Sequence, residues 1–264
     1  MSKFSFLPAV AAAAAFIGLT VADVAAQEQS RLQSILESGK LRVGTTGDFN
    51  PMSFKDTATG DYVGYDIDAV RKLAEDMKVE LEFVATDWKT LVAGVIADKY
   101  DMTTSASLSV DRAKVAGYSD PYVEFATVPV AKADAAAGIE GWDALDVPEM
   151  RIAVTLGTVF EQQARAYFTE AEIVAVEAPI RGYQEVLAGR ADATITSNVD
   201  AAQLTQTHPD LAVVKVDRPR SRRPGAFLLP QGDQVWINFV NHWVNLNHAS
   251  AFFEELQQKW NLAN

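Results

Sequence analysis

The sequence predicts an α/β protein built as two lobes, and three observations carry that prediction. Strands and helices alternate from Arg31 onward, the same alternation begins afresh at Arg151, and two short apolar strands, Val128 to Ala131 and Ala226 to Leu229, bracket the second pass. A strand–helix rhythm of this kind belongs to parallel sheets, and two passes in one chain give two small open sheets. The bracketing strands are read as two crossings between the lobes.

The elements follow from local pattern. Arg31 to Ser38 is helix-like and Gly39 ends it; Leu41 to Thr45 alternates as a strand. Gly47 to Pro51 is read as a loop, because Gly47 and Pro51 interrupt regular pairing. Asp66 to Met77 sets Ile67, Val70, Leu73, Ala74 and Met77 on one helical face. Val79 to Val84 follows as a strand, Thr90 to Ala97 as a helix and Asp101 to Thr104 as a strand. In the second pass Arg151 to Val154, Ile173 to Val176, Ala193 to Thr196 and Leu211 to Val216 are strands. Between them lie helices from Gly157-Thr158 to about Phe168, from Ile180 to Ala188 and from Val199 to Gln206. The helices Val235 to Leu246 and Ala251 to Trp260 are expected to return to the first lobe. In sheets of this kind ligands sit beyond the carboxyl ends of the strands, so two such edges facing one another define a cleft.

Composition narrows the function. The formal net charge is −12 with a pI near 4.7, which repels phosphate backbones and anionic lipid and argues against a nucleic-acid partner. There is no Cys, and the three His (His208, His242, His248) have no ligand spacing; no metal and no cofactor is called for. At the N-terminus Lys3 precedes an apolar stretch from Phe6 to Val21, and Val24-Ala25-Ala26 offers small residues for cleavage. Residues 1–26 therefore read as a signal peptide cut after Ala26, which predicts a soluble protein outside the cytoplasm, in the periplasm if the cell has an outer membrane; it is expected to be a monomer.

Several motifs in order resemble the family 3 extracellular solute-binding proteins. They are Gly44-Thr45, Phe49-Asn50-Pro51, Gly64-Tyr65-Asp66-Ile67-Asp68, Trp88, Ser107 to Arg112 and Ser119-Asp120-Pro121-Tyr122. The resemblance spans Arg31 to Trp260 and implies the type II periplasmic-binding-protein fold, two Rossmann-like lobes joined by two hinge strands. The lobes are expected at residues 27–127 plus 227–264, and at residues 128–226. The stretches Ile35 to Gly39 and Thr45 to Phe49, with His208-Pro209-Asp210-Leu211 and Leu228-Leu229-Pro230, also look like the periplasmic cyclohexadienyl dehydratase branch of the same fold. That branch converts prephenate or arogenate to an aromatic product.

The resemblance implies a ligand set. Arg112 matches the arginine with which the family clasps a carboxylate, a task suited to the paired donors of a guanidinium; pairing with Asp111 is the plain alternative. Ser105 and Ser107 are expected to add hydroxyls, or else are strand-end turn residues. Phe49 and Trp88 stand where the family puts aromatic walls, although Trp88 also suits a core position and Asp48 a turn cap. In the second lobe Thr158 opens a helix whose amides suit an anion, or is only its N-cap. Ser197 stands where amino-acid binders usually place an Asp, and Asp200 lies one turn on. The dehydratase branch carries Gly-Gly-Thr-Asn-Glu where this chain has Gly157 to Glu161, so Phe160 replaces a polar residue. It carries a glutamate where this chain has Asp200, one methylene shorter than that general acid. The reading is thus a binder of a small carboxylate solute, an amino acid or an organic or aromatic acid, serving an ABC permease. A dehydratase using Asp200 as acid and a sensory binding protein are the alternatives. The cluster Arg218, Arg220, Arg222 and Arg223 is read as a solvated loop, or else as a rim that attracts an anionic solute or a contact with a permease.

Overall fold

In a computed structural model the chain is described over residues 29–262; the cleavage-site reading lies outside the described residues. The dominant feature is one ten-stranded sheet. At one end Arg151–Thr155 pairs in parallel with Glu172–Val176 and with Ala193–Ser197. At the other, Lys40–Thr45 pairs in parallel with Glu80–Ala85 and Met102–Ser107. Two ten-residue antiparallel strands, Val123–Lys132 and Arg220–Leu229, lie side by side in the middle and run from one end's core to the other's. These are the two hinge strands: each lobe keeps its own parallel sheet, and the hinge makes the two continuous.

Each lobe has its own core. The first gathers Leu73, Met102, Tyr122, Phe227, Trp236 and Phe253, so the C-terminal helices Gln234–Ala249 and Phe252–Lys259 pack against elements from the beginning of the chain. Trp236 is fully buried and its indole N–H donates to the carbonyl of Asp101 at 3.1 Å. Burying one such ring removes on the order of 200 Å² of apolar surface, about 5 kcal/mol before entropy. The second core gathers Trp142, Ile152, Val154, Phe168, Ile195 and Val214.

Two expectations are corrected. Asp48–Phe49 is a strand, the first of a three-stranded sheet with Ser53–Lys55 and Tyr62–Val63. The turn between the first two is short, so Gly47 and Pro51 sit at the ends of the strand instead of breaking it. Arg220 to Arg223 are not a solvated loop. They form the first half of the second hinge strand, with Arg220 opposite Thr127 and Arg223 opposite Phe125. Each arginine there has a neighbour that takes its charge or its stem: Arg220 stacks over Trp142 and Tyr167, Arg222 pairs with Glu124 at 2.8 Å, and Arg223 donates to the carbonyl of Leu108 at 3.2 Å.

Buried beneath the first lobe's cleft edge is a polar chain. Tyr122 donates its hydroxyl to Asp66 at 2.7 Å and accepts the backbone N–H of Ser105 at 3.3 Å. Asp66 is fully buried, and burial drives its pKa up to about 8 against the opposing bond from Tyr122.

Candidate functional site

Arg112 is positioned from its own loop. Ser109 caps the short helix Val110–Ala113 and its Oγ accepts the amide of Arg112 at 3.2 Å, which turns the side chain under the end of the strand Met102–Ser107. Arg112 is 7% exposed. Its guanidinium donates to two carbonyls, of Ser107 at 3.4 Å in its own lobe and of Gly157 at 3.1 Å in the other. Among the described residues no carboxylate pairs with it. Asp111 instead pairs with Lys114 at 2.8 Å on the surface, so the plain alternative of an Arg112–Asp111 pair is not what forms. Burial lowers the pKa of Arg112; Tyr118 beside it opposes the shift, and the positive charge of Arg223 adds to it. A buried cation without a counterion is costly, and an incoming carboxylate would remove the cost.

The lobes are closed on one another at this point. Lys89 pairs with Glu177 at 2.6 Å across the gap. Gly157 has φ +78°, and a Cβ there would lie 2.5 Å from Lys89 Cα and 2.7 Å from the carbonyl carbon of Trp88. Only a glycine lets these two backbones meet.

Between them sits a group that no motif pointed to. Arg181, at the N-cap of the helix Gly182–Leu187, places a side chain only 13% exposed between Asp48 and Asp200. It donates to the carbonyl of Asp48 and lies 3.4 Å from that residue's carboxylate and 3.3 Å from Asp200 Oδ2. Burial pulls the pKa of Arg181 down, but Asp200 and Asp48 outweigh it and hold the guanidinium charged. Asp200 is 4% exposed and also accepts from Thr196 Oγ1 at 2.6 Å. Burial raises the pKa of Asp200, and Arg181 and Thr196 only partly offset it.

The other expected residues fall on two sides of this group. Trp88 is half-buried and donates its indole N–H to both carboxylate oxygens of Asp48, at 3.0 and 3.1 Å; Asp48 is an acceptor for the wall and not a turn cap. Phe49 is 5% exposed and packs edge-on to Trp88 at 5.9 Å and against Phe125 at 5.6 Å, so it supports the wall from inside the core. Ser105 is buried, has φ +43° and leaves its hydroxyl without a partner, whereas Ser107 contributes its carbonyl to Arg112. Thr158 caps its helix, accepting from the amide of Glu161 at 3.3 Å and donating to the carbonyl of Thr155 at 2.7 Å. Ser197 likewise caps the helix Asn198–Thr207, accepting from the amide of Asp200 at 3.1 Å. Phe160 lines a small cavity beside Arg181, Thr196 and Asp200. Among the described residues no group of three acidic or histidine side chains is placed to hold a metal.

Fold and cleft define the class, a two-lobed clamshell with its lobes on a paired hinge. Comparison with known proteins then gives the family: residues 41–263 match the pattern of bacterial extracellular solute-binding proteins, family 3, and the chain belongs to it. It is similar to the cyclohexadienyl dehydratase of Pseudomonas aeruginosa, 32% identical over 97% of this chain and 95% of that protein. It is also similar to the L-cystine-binding protein TcyJ of Escherichia coli, 26% identical over 96% and 94% of the two chains. Among solved structures, an ancestral amino acid-binding protein described as a precursor of cyclohexadienyl dehydratase superposes with a TM-score of 0.81 at 35% identity, over 88% of this chain and 99% of that one. A lysine-bound putative ABC transporter component from Wolinella succinogenes superposes with a TM-score of 0.78 at 26% identity, over 84% and 95% of the two chains.

Proposed function

We propose that the protein is an exported periplasmic binding protein that closes on a small carboxylate-bearing solute and delivers it to an ABC permease. One observation carries the reading: Arg112 is a buried guanidinium at the lobe interface that donates to two carbonyls and lies by the Tyr118 hydroxyl, with no carboxylate paired to it among the described residues. A carbonyl satisfies an N–H but not a charge, and a planar fork is matched by the two oxygens of a carboxylate. Closing the lobes then brings Gly157 and Trp88, with Phe49 packed behind it, around the bound solute. The cystine and lysine named for two relatives support a solute of amino-acid size. The lobes of the proposal divide near residues 127 and 227, within the two hinge strands.

The test is a thermal-shift screen with organic, aromatic and amino acids, repeated on Arg112→Met. The solute that stabilises the natural protein gives no shift with the variant if Arg112 is its anchor; an equal shift removes Arg112 from the site.

A second reading rests on Asp200. Its buried carboxyl has a raised pKa, which suits a group that gives a proton to a leaving hydroxyl, and the Pseudomonas relative is named for that chemistry. On this reading the protein dehydrates prephenate or arogenate. Two features oppose it: Asp200 is held by Arg181, and Phe160 offers no hydrogen bond. Incubation with prephenate decides, because phenylpyruvate formed at an enzymic rate shows in the ultraviolet.

A further inference from the structure

The cleft holds two arginines and two aspartates, and they divide unequally. Arg112 has no carboxylate, while Arg181 has two, one from each lobe. Trp88 also engages both oxygens of Asp48, while Thr196 donates to the same Asp200 Oδ2 that Arg181 reaches. Of the other carboxylates near the cleft, Glu161 takes the amide of Gly157 at 2.9 Å and pairs with Arg165 at 3.1 Å, and Glu177 pairs with Lys89 at 2.6 Å. A solute held by Arg112 through its carboxylate therefore meets, among the described residues, no carboxylate that is not already paired with a cation. There is no space for one either: the cavity beside Arg181 and Asp200 measures about 20 Å³, the room of a single water. An ammonium could enter only by displacing Arg181, and that would leave a like-charged pair, Asp48 and Asp200, to be neutralised by the smaller cation.

We propose that Arg181 is a built-in cation that fills the ammonium position of the cleft, so that the protein selects acids lacking an amino group over the corresponding amino acids. The inference rests on the reading of Arg112 as the carboxylate anchor and goes beyond it by assigning the other end of the solute. Arg181 also joins the lobes, since Asp48 belongs to the first core's side and Asp200 to the second's. It therefore does for closure what a cationic solute head would otherwise do, and the solute need supply only its acid and its apolar body. Arg181 is in this sense a specificity-determining residue.

The experiment is calorimetric titration with matched pairs: 3-phenylpropanoate and L-phenylalanine, glutarate and L-glutamate, hexanoate and L-norleucine. The natural protein is expected to bind the amino-free member of at least one pair at least tenfold more tightly than its amino partner. Arg181→Gln, which uncovers Asp48 and Asp200, narrows or inverts that ratio, and Arg181→Lys, which keeps a cation, preserves it. Equal or tighter binding of the amino members by the natural protein overturns the inference, as does a ratio unmoved in Arg181→Gln. Arg112→Met separates this from the reading beneath it. Loss of both members in that variant with no change in Arg181→Gln sinks only the role of Arg181. Retention of both in Arg112→Met, or failure of every pair to bind the natural protein, sinks the carboxylate anchor and the inference with it.

Discussion

Gly157→Ala tests lobe closure at a single atom. The glycine has φ +78°, and its missing Cβ would come within 2.5 Å of Lys89 Cα and 2.6 Å of Lys89 N. Ordinary carbon contacts begin near 3.4 Å, so the lobes must part by about 1 Å at this point. The atoms that clash are backbone, so no rotamer change relieves them. Left-handed backbone costs an added side chain about 1–2 kcal/mol on its own, but that term acts in the open and closed forms alike. The clash acts only when the lobes meet. Parting them also lengthens the 3.1 Å bond from Arg112 to the carbonyl of Gly157. The expected result is an open-biased protein, about 1–2 kcal/mol less stable, whose affinity for its solute falls at least tenfold, about 1.4 kcal/mol. Calorimetric titration gives the affinity and small-angle X-ray scattering gives the closure, as a fall in the radius of gyration on adding solute. If Gly157→Ala contracts on binding and keeps natural affinity, the two backbones do not meet in the bound form and the closure argument fails.

Other outcomes follow from the electrostatics. Because the folded pKa of Asp66 is raised from 3.8 to about 8, its contribution to stability is complete below pH 4 and is lost as pH rises to 8. The loss is on the order of 5 kcal/mol as an upper figure. Asp66→Asn should remove that part of the slope in urea unfolding measured between pH 4 and 8, and an unchanged slope would refute the buried-acid account. Asp101 is 2% exposed and accepts from the backbone N–H and the guanidinium of Arg42, both at 2.7 Å, and from Arg31 at 3.2 Å. Asp101→Ala is expected to cost about 3–5 kcal/mol in denaturant unfolding, as for other broken buried pairs. Glu124→Gln breaks an exposed pair with Arg222 and should change stability by less than about 1 kcal/mol.

Much of the fold was legible because its cause is local. The helix Tyr65–Met77 buries Ile67, Val70 and Leu73, the same face that the 3.6-residue spacing picks out. The hinge strands were read only over Val128 to Ala131 and Ala226 to Leu229, where both faces are apolar and buried. Their outer halves carry Glu124, Arg220, Arg222 and Arg223, and a charged strand paired at a lobe boundary has the composition of a loop. Arg112 announced itself through a motif; Arg181 did not. It is an ordinary arginine before a helix, and its significance comes from two aspartates 133 and 19 residues away that the fold brings to it. Asp66 was read as part of a helix start, and nothing in its neighbours along the chain says that it is sealed from water.

The order in which the two cores become complete follows from their composition. The second is assembled from one uninterrupted stretch, whereas the first waits for Trp236, Trp243 and Phe253 near the far end. A chain that folds as it is made, from its N-terminus, thus presents the earlier half-core long before its last aromatic partners emerge, while the later segment can consolidate by itself. Pulsed hydrogen exchange during refolding should show amides of Arg151–Thr155 and Ala193–Ser197 protected ahead of those of Lys40–Thr45. The same arrangement ties the clamshell's larger jaw to the completeness of the chain: a copy that lacks its final helices keeps a formed second lobe but has no rigid partner for it to close against.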